Sequence, residues 1–246
     1  MHQVYMITSN SKINSNIANI KKALLNSLPL YGFILCLLLA VSLQQKIPVA
    51  DLTKDVFVVA KVPSYTGIIS NLGVLIWCYS FSIAFFSYKI LNNKQGIPKL
   101  VVDFFLFSSG ISLVLLLDDF FMLHEGFFPY RLNIPENVVY LFYILAFTFY
   151  VTRFRPIIFS LKYVVFLGAF VAFMMLSTGI DLLPIEIDYE AGHANNIYFL
   201  FEDGCKLLAI ASWCIYLNTV CLDKIHFYFF KLGASRERAN ERADIG

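Results

Sequence analysis

The chain has 246 residues, 59% of them hydrophobic and only 15% charged, with 25 Phe and a mean hydropathy of +0.69. A water-soluble domain of this length carries more charge, so the composition points to an integral membrane protein. The formal net charge of +2 offers nothing for nucleic acid. The five cysteines, all inside apolar segments and without CxxC spacing, exclude a disulfide framework.

The sequence predicts an all-α, polytopic membrane protein with six transmembrane helices. A polar segment (1–23) precedes a six-helix domain (24–222) and a basic tail (223–246). In the first segment Ile13, Ile17, Ile20 and Leu24 recur at helical spacing among Lys12, Lys21 and Lys22, a pattern that suits a helix lying on the membrane surface. The first span, 24–43, is read as uncleaved, although Ala40-Val41-Ser42 resembles a signal-peptide cleavage site. In the loop 44–65 the apolar run Val56–Ala60 falls short of the ~20 residues a crossing needs, so it should rest at the interface. The second span, 68–90, contains Trp77, which with the many Phe residues is expected to face lipid. Gly96 and Pro98 break the turn after it.

The third span, 100–123, carries Ser108, Ser109, Gly110 and Ser112, small residues that mark close helix packing. Ser108, Ser112 and Asp119 share one helical face, which should point into the bundle. The span ends in Asp118, Asp119, His124 and Glu125. The fourth span, 137–152, is closed by Arg153 and Arg155. The fifth, 157–176, continues to Asp181, and an acidic loop with Glu186, Asp188, Glu190 and His193 follows. The sixth, 197–222, has Glu202, Asp203 and Lys206 near its start. Of the nineteen Lys and Arg, fourteen fall on the side of the termini, so the termini are expected to be cytoplasmic.

With this orientation the ends of spans three, five and six bring the acids and Lys206 to one layer near the outer face. Facing lipid, such a set would cost on the order of 10 kcal/mol, so its members should face one another, water or a cation. Glu202 and Asp203 are spaced to pair with Lys206 along the helix. One lysine cannot neutralise every carboxylate, and the remainder call for a metal or protons. Asp118, His124, Glu125, Asp203 and His193 are candidate ligands for a divalent ion, zinc or manganese, because carboxylate and imidazole donors suit those metals. On an unbroken helix Asp119 and His124 point apart, so joint action requires a break near Leu123.

A bound ion would activate water, with Glu202 and Asp119 as acid–base candidates and Lys206 stabilising negative charge, in a hydrolase acting on a lipid or peptide. The alternatives are a proton- or ion-coupled transporter and a non-catalytic protein with a structural charge network. Glu202-Asp203-x-x-Lys206 resembles the E-E-x-x-K motif of the glutamate-dependent intramembrane proteases, but differs at its second position and comes last in the chain. Ser and Asp paired with His in a helical bundle resemble the ceramidase-like membrane hydrolases. Their three-histidine zinc site has no counterpart, since His2 and His226 fall on the cytoplasmic side. Size and short loops suggest a bacterial inner membrane.

Overall fold

The structure is a computed structural model that describes residues 21, 25, 28–159, 161–181 and 193–231, with 161, 193–196 and 231 described by backbone alone. The expected surface helix before residue 24, the acidic loop with Glu186, Asp188 and Glu190, and the tail beyond 231 lie outside these residues. Every regular element among them is helical, and none is a strand. The chain forms two compact units, Met1–Thr66 and Gly67–Gly246.

In the first unit, the apolar helix α1 (Leu28–Leu43) is followed by the single-turn pieces α2 (Val49–Thr53) and α3 (Val56–Ala60). Gln44 ends α1 by using both halves of its amide. Its Nε2 donates to the carbonyls of Val41 and Ile47, and its Oε1 accepts from the N–H groups of Lys46 and Ile47. Asp55 caps α3 by accepting from Phe57 N at 2.8 Å, and Lys61 closes it in the left-handed conformation.

The second unit contains α4 (Ile68–Asn92), α5 (Lys99–Phe121), a π-helical turn (Leu123–Phe127), α6 (Phe128–Leu132) and α7 (Glu136–Arg153). It continues with α8 (Arg155–Ile158), α9 (Leu161–Asp181), α10 (His193–His226) and a second π-helical turn (Phe227–Lys231). Among the described residues, four helical stretches are long and apolar enough to cross a membrane: Ile68–Asn92, Lys99–Phe121, Lys162–Asp181 and Ile197–Phe230. The fifth expected span begins late because Pro156 opens a separate turn, α8, whose flanking residues Phe154 and Phe159 depart from helical geometry. The sixth runs past residue 222. Asp223 can stay helical there because Lys162 Nζ and Tyr163 Oη reach it at 2.7 Å each.

Small residues set how the helices pack. On α4, Gly73, Trp77, Ser80, Ala84, Ser87 and Leu91 form one buried stripe, spaced alternately four and three residues apart. A Cβ at Gly73 would meet Ile210 Cδ1 at 3.0 Å, so α4 and α10 approach closely there. The buried serines donate back to the preceding turn, Ser80 to Ile76 O and Ser108 to Phe104 O, which satisfies their hydroxyls without water. Aromatic rings hold α7 to its neighbours: Tyr150 lies 5.7 Å from Phe104 of α5 and 5.8 Å from Trp213 of α10, and Phe147 lies 5.6 Å from Phe170 of α9.

The core is therefore aromatic, with Trp77, Trp213, Tyr150, Tyr216, Phe104, Phe105 and Phe154 fully buried. This corrects the expectation that Trp77 faces lipid. The inward face predicted for Ser108 and Ser112 is present: both are buried, and Ser112 Oγ accepts from Trp213 Nε1 at 2.9 Å.

Direction follows from the contacts. Tyr198 Oη donates to Ile180 O at 2.7 Å, joining the start of α10 to the end of α9, while Lys162 and Asp223 join their other ends. Asp119 near the end of α5 meets Lys206 near the start of α10. Helices α5 and α9 thus run the same way, and α7 returns the chain between them, from Tyr140 beside His124 to Tyr150 beside Phe104.

Candidate functional site

The polar groups gather at the end of the second unit where α4 and α10 begin and α5 and α9 finish. Two short chains of interactions build the site. In the first, Asp119 Oδ1 lies 2.9 Å from Lys206 Nζ, and its Oδ2 accepts from Trp77 Nε1 at 2.8 Å. One carboxylate thereby ties α5 to both α4 and α10. This corrects the pairing expected along α10: the ion-pair partner of Lys206 among the described residues is Asp119, across the bundle, not Glu202 or Asp203. The i,i+4 spacing permits a pair; the buried acid across the bundle, with an indole already on it, takes the lysine instead.

The second chain depends on a break in the helix. α5 stops at Phe121, and Met122 takes the left-handed conformation with φ +50°, donating its N–H to Asp118 O. The turn swings His124 back over the preceding helix. His124 N then donates to Asp118 Oδ1 at 3.0 Å, and its Nδ1 sits 2.7 Å from Asp118 Oδ2. The ring N–H lies off the line to Oδ2, so this is a close ion pair rather than a well-aligned hydrogen bond. His124 Nε2 lies 3.1 Å from Glu125 Oε1. The break near Leu123 that joint action required is thus present, one residue earlier, and it joins His124 to Asp118 rather than to Asp119.

Burial alone would drive His124 toward its neutral form. The two carboxylates outweigh it and hold the imidazolium to about 10, against an ordinary 6.5. Glu125 is held below its usual range, first by its hydrogen bond to His124 and, against the cost of burial, by the charges of His124 and Lys206. The two chains therefore feel each other. Asp118 and His124 are buried while Glu125 is exposed, which makes Glu125 the outward end of the unit. From α7, the Tyr140 ring packs 5.4 Å from His124, and the Tyr143 hydroxyl faces Asp118.

The remaining predicted site residues divide. Glu202 lies within electrostatic reach of Asp181, Asp203 and Glu125. Asp203 lines an open cleft with Asp119 and Lys206, whose walls are Ile69, Ser70 and Gly73 of α4 and Leu207 and Ile210 of α10; it has room for about one water molecule. The side chain of His193 lies outside the described residues. Among those that are described, no three His, Cys, Asp or Glu side chains come together closely enough to hold a metal between them.

Trp77, Tyr140 and Tyr143 were not among the predicted site residues. The signal for Trp77 was present in its register with Gly73, Ser80, Ala84 and Ser87. Nothing local marks the two tyrosines, because they stand among six aromatic residues of α7.

No curated protein and no solved structure matches the chain. The model of one family matches residues 30–220, and the chain belongs to that family, described as a domain of unknown function (DUF8692).

Proposed function

We propose that this chain is a six-span membrane protein with cytoplasmic termini whose opposite face carries a divalent-cation-dependent hydrolytic site for a lipid or peptide. Two observations support the topology. Helices α5 and α9 run in the same direction, so the chain returns between them through α7, and α1 would be the sixth span. Lys89, Lys94, Lys99, Arg153, Arg155, Lys162 and Lys224 all lie at or beside helix ends opposite the polar site, which suits a cytoplasmic surface. Short loops and small size suit a bacterial inner membrane.

The Asp118–His124–Glu125 unit carries the functional reading. A buried carboxylate holds the imidazole through Nδ1, and Nε2 is left beside a second carboxylate at 3.1 Å, a spacing at which two ligands of one cation can stand. His124 and Glu125 would be ligands for zinc or manganese, with Asp118 positioning the ring and water, substrate or His193 of α10 completing the set. Such an ion supplies an activated water. Glu202 would then act as the base, and Lys206, steadied by Asp119, would stabilise developing negative charge. The interior below the site is filled by paired hydroxyls and aromatic rings, which weighs against a transport path.

Elemental analysis of the purified chain tests this reading. Stoichiometric zinc or manganese is expected in the wild type, absent from His124→Ala and reduced in Asp118→Asn. A wild-type protein that takes up neither metal on incubation with each would overturn it.

A further inference from the structure

We propose that the mouth of the cleft between α4 and α10 binds the headgroup of a zwitterionic phospholipid across its surface, with Lys206 taking the phosphate and Asp203 the ammonium. The two helices close on each other at Gly73, where a Cβ would meet Ile210 Cδ1 at 3.0 Å. The lining of the cleft combines apolar Ile69, Leu207 and Ile210 with one ammonium and two carboxylates. Asp119 is already engaged by Lys206 at 2.9 Å and by Trp77 at 2.8 Å. That pair is neutral, yet an ammonium has three N–H donors and Asp119 uses one of them. Donors are thus left for an oxyanion.

Asp203 is exposed and has no ion-pair partner within 4.0 Å among the described residues, so its carboxyl group is available to a cation beside the cleft. The complementary ligand brings an anion for Lys206, a cation for Asp203, and an apolar tail for the outward-facing Ile69, Leu72 and Leu208. A zwitterionic phospholipid carries all three. Inorganic phosphate and phosphatidylglycerol lack the cation, and diacylglycerol lacks both charges.

This deepens the proposed function, choosing lipid over peptide, and it rests on that reading for placing this end of the bundle at a membrane face. The test is native mass spectrometry of the full chain in detergent with chelator. The probes are phosphatidylethanolamine, phosphatidylglycerol and diacylglycerol of matched acyl chains. Phosphatidylethanolamine should be retained about tenfold more strongly than either of the others. Asp203→Asn should abolish its advantage over phosphatidylglycerol. Ser70→Trp, at an exposed position on the mouth of the cleft, should lower retention of phosphatidylethanolamine about tenfold without changing the melting temperature. Equal retention of the three lipids by the wild type, or a preference that survives either substitution, overturns the proposal. Selective binding by a protein that holds no metal would remove the hydrolase reading and leave this site standing. Metal uptake without lipid preference would do the reverse.

Discussion

Asp119 is 9% exposed at its side chain and is held from two sides, by an ammonium and by an indole N–H. The two donors contribute differently. Removing Lys206 leaves a buried carboxylate without its counter-charge, which costs about 3–5 kcal/mol, whereas replacing both charges with apolar groups is often neutral. Lys206→Met should therefore be strongly destabilising, and Asp119→Leu combined with Lys206→Met should recover most of the loss. Trp77→Phe removes one donor to a charged acceptor and should cost about 1–3 kcal/mol. Unfolding in mixed detergent micelles reads all three, and a double variant no more stable than Lys206→Met would contradict the pairing. His124 makes a second prediction at this scale, for protein stripped of metal. Its folded value of about 10 lies above the unfolded 6.5, so its contribution is complete below pH 6.5 and is lost as pH rises toward 10. The slope is at most about 1.4 kcal/mol per pH unit. Glu125 acts in the opposite sense, contributing above 4.5 and losing its contribution as pH falls through its lowered value. His124→Gln should flatten the alkaline limb of the stability profile; an unchanged limb would mean the ring is not charged in the fold.

At the scale of elements, the decisive feature is the end of α5. Met122 adopts a left-handed conformation that costs a non-glycine residue about 1–2 kcal/mol, and the return is the placement of His124 on Asp118. Met122→Asn tolerates that conformation better and should raise stability by up to about 1 kcal/mol, as judged by the unfolding midpoint. Met122→Ile, β-branched, should lower it and release His124, which the pH profile above would register. The helices themselves were legible in the sequence because apolar runs bounded by Pro98, Gly96 and Pro135 leave little choice of ends. The inward face of α5 was legible too, from the spacing of Ser108, Ser112 and Asp119. The pairing of Lys206 was not. Local spacing displays only partners on the same helix, and the choice of Asp119 over Glu202 is made by burial across the bundle. The left-handed turn at Met122 was equally hidden, since no Gly or Asn marks it; only the chemistry required of His124 hinted at a break.

For the whole molecule, direction matters more than count. The contacts that make α5 and α9 parallel oblige the chain to return between them, and α7 does so although its tyrosines, threonines and terminal Arg153 make it less apolar than its neighbours. Its 18 residues span about 27 Å at 1.5 Å per residue, close to a hydrocarbon thickness of about 30 Å. Odd spans in the second unit, α4, α5, α7, α9 and α10, would put Gly67 and Lys231 on opposite sides of a membrane, so α1 decides whether the two termini share one. Cysteine labelling separates these cases. With the five native cysteines replaced, Arg131→Cys on α6 should react with an impermeant maleimide added to intact bacterial spheroplasts, and Asn93→Cys after α4 should react only on permeabilisation. The opposite pattern would invert the orientation drawn from the basic residues, and reaction of both from outside would remove α5 as a crossing. Ser9→Cys completes the assignment: protection until permeabilisation makes α1 the sixth span, while labelling from outside leaves it lying at the surface and the chain with five.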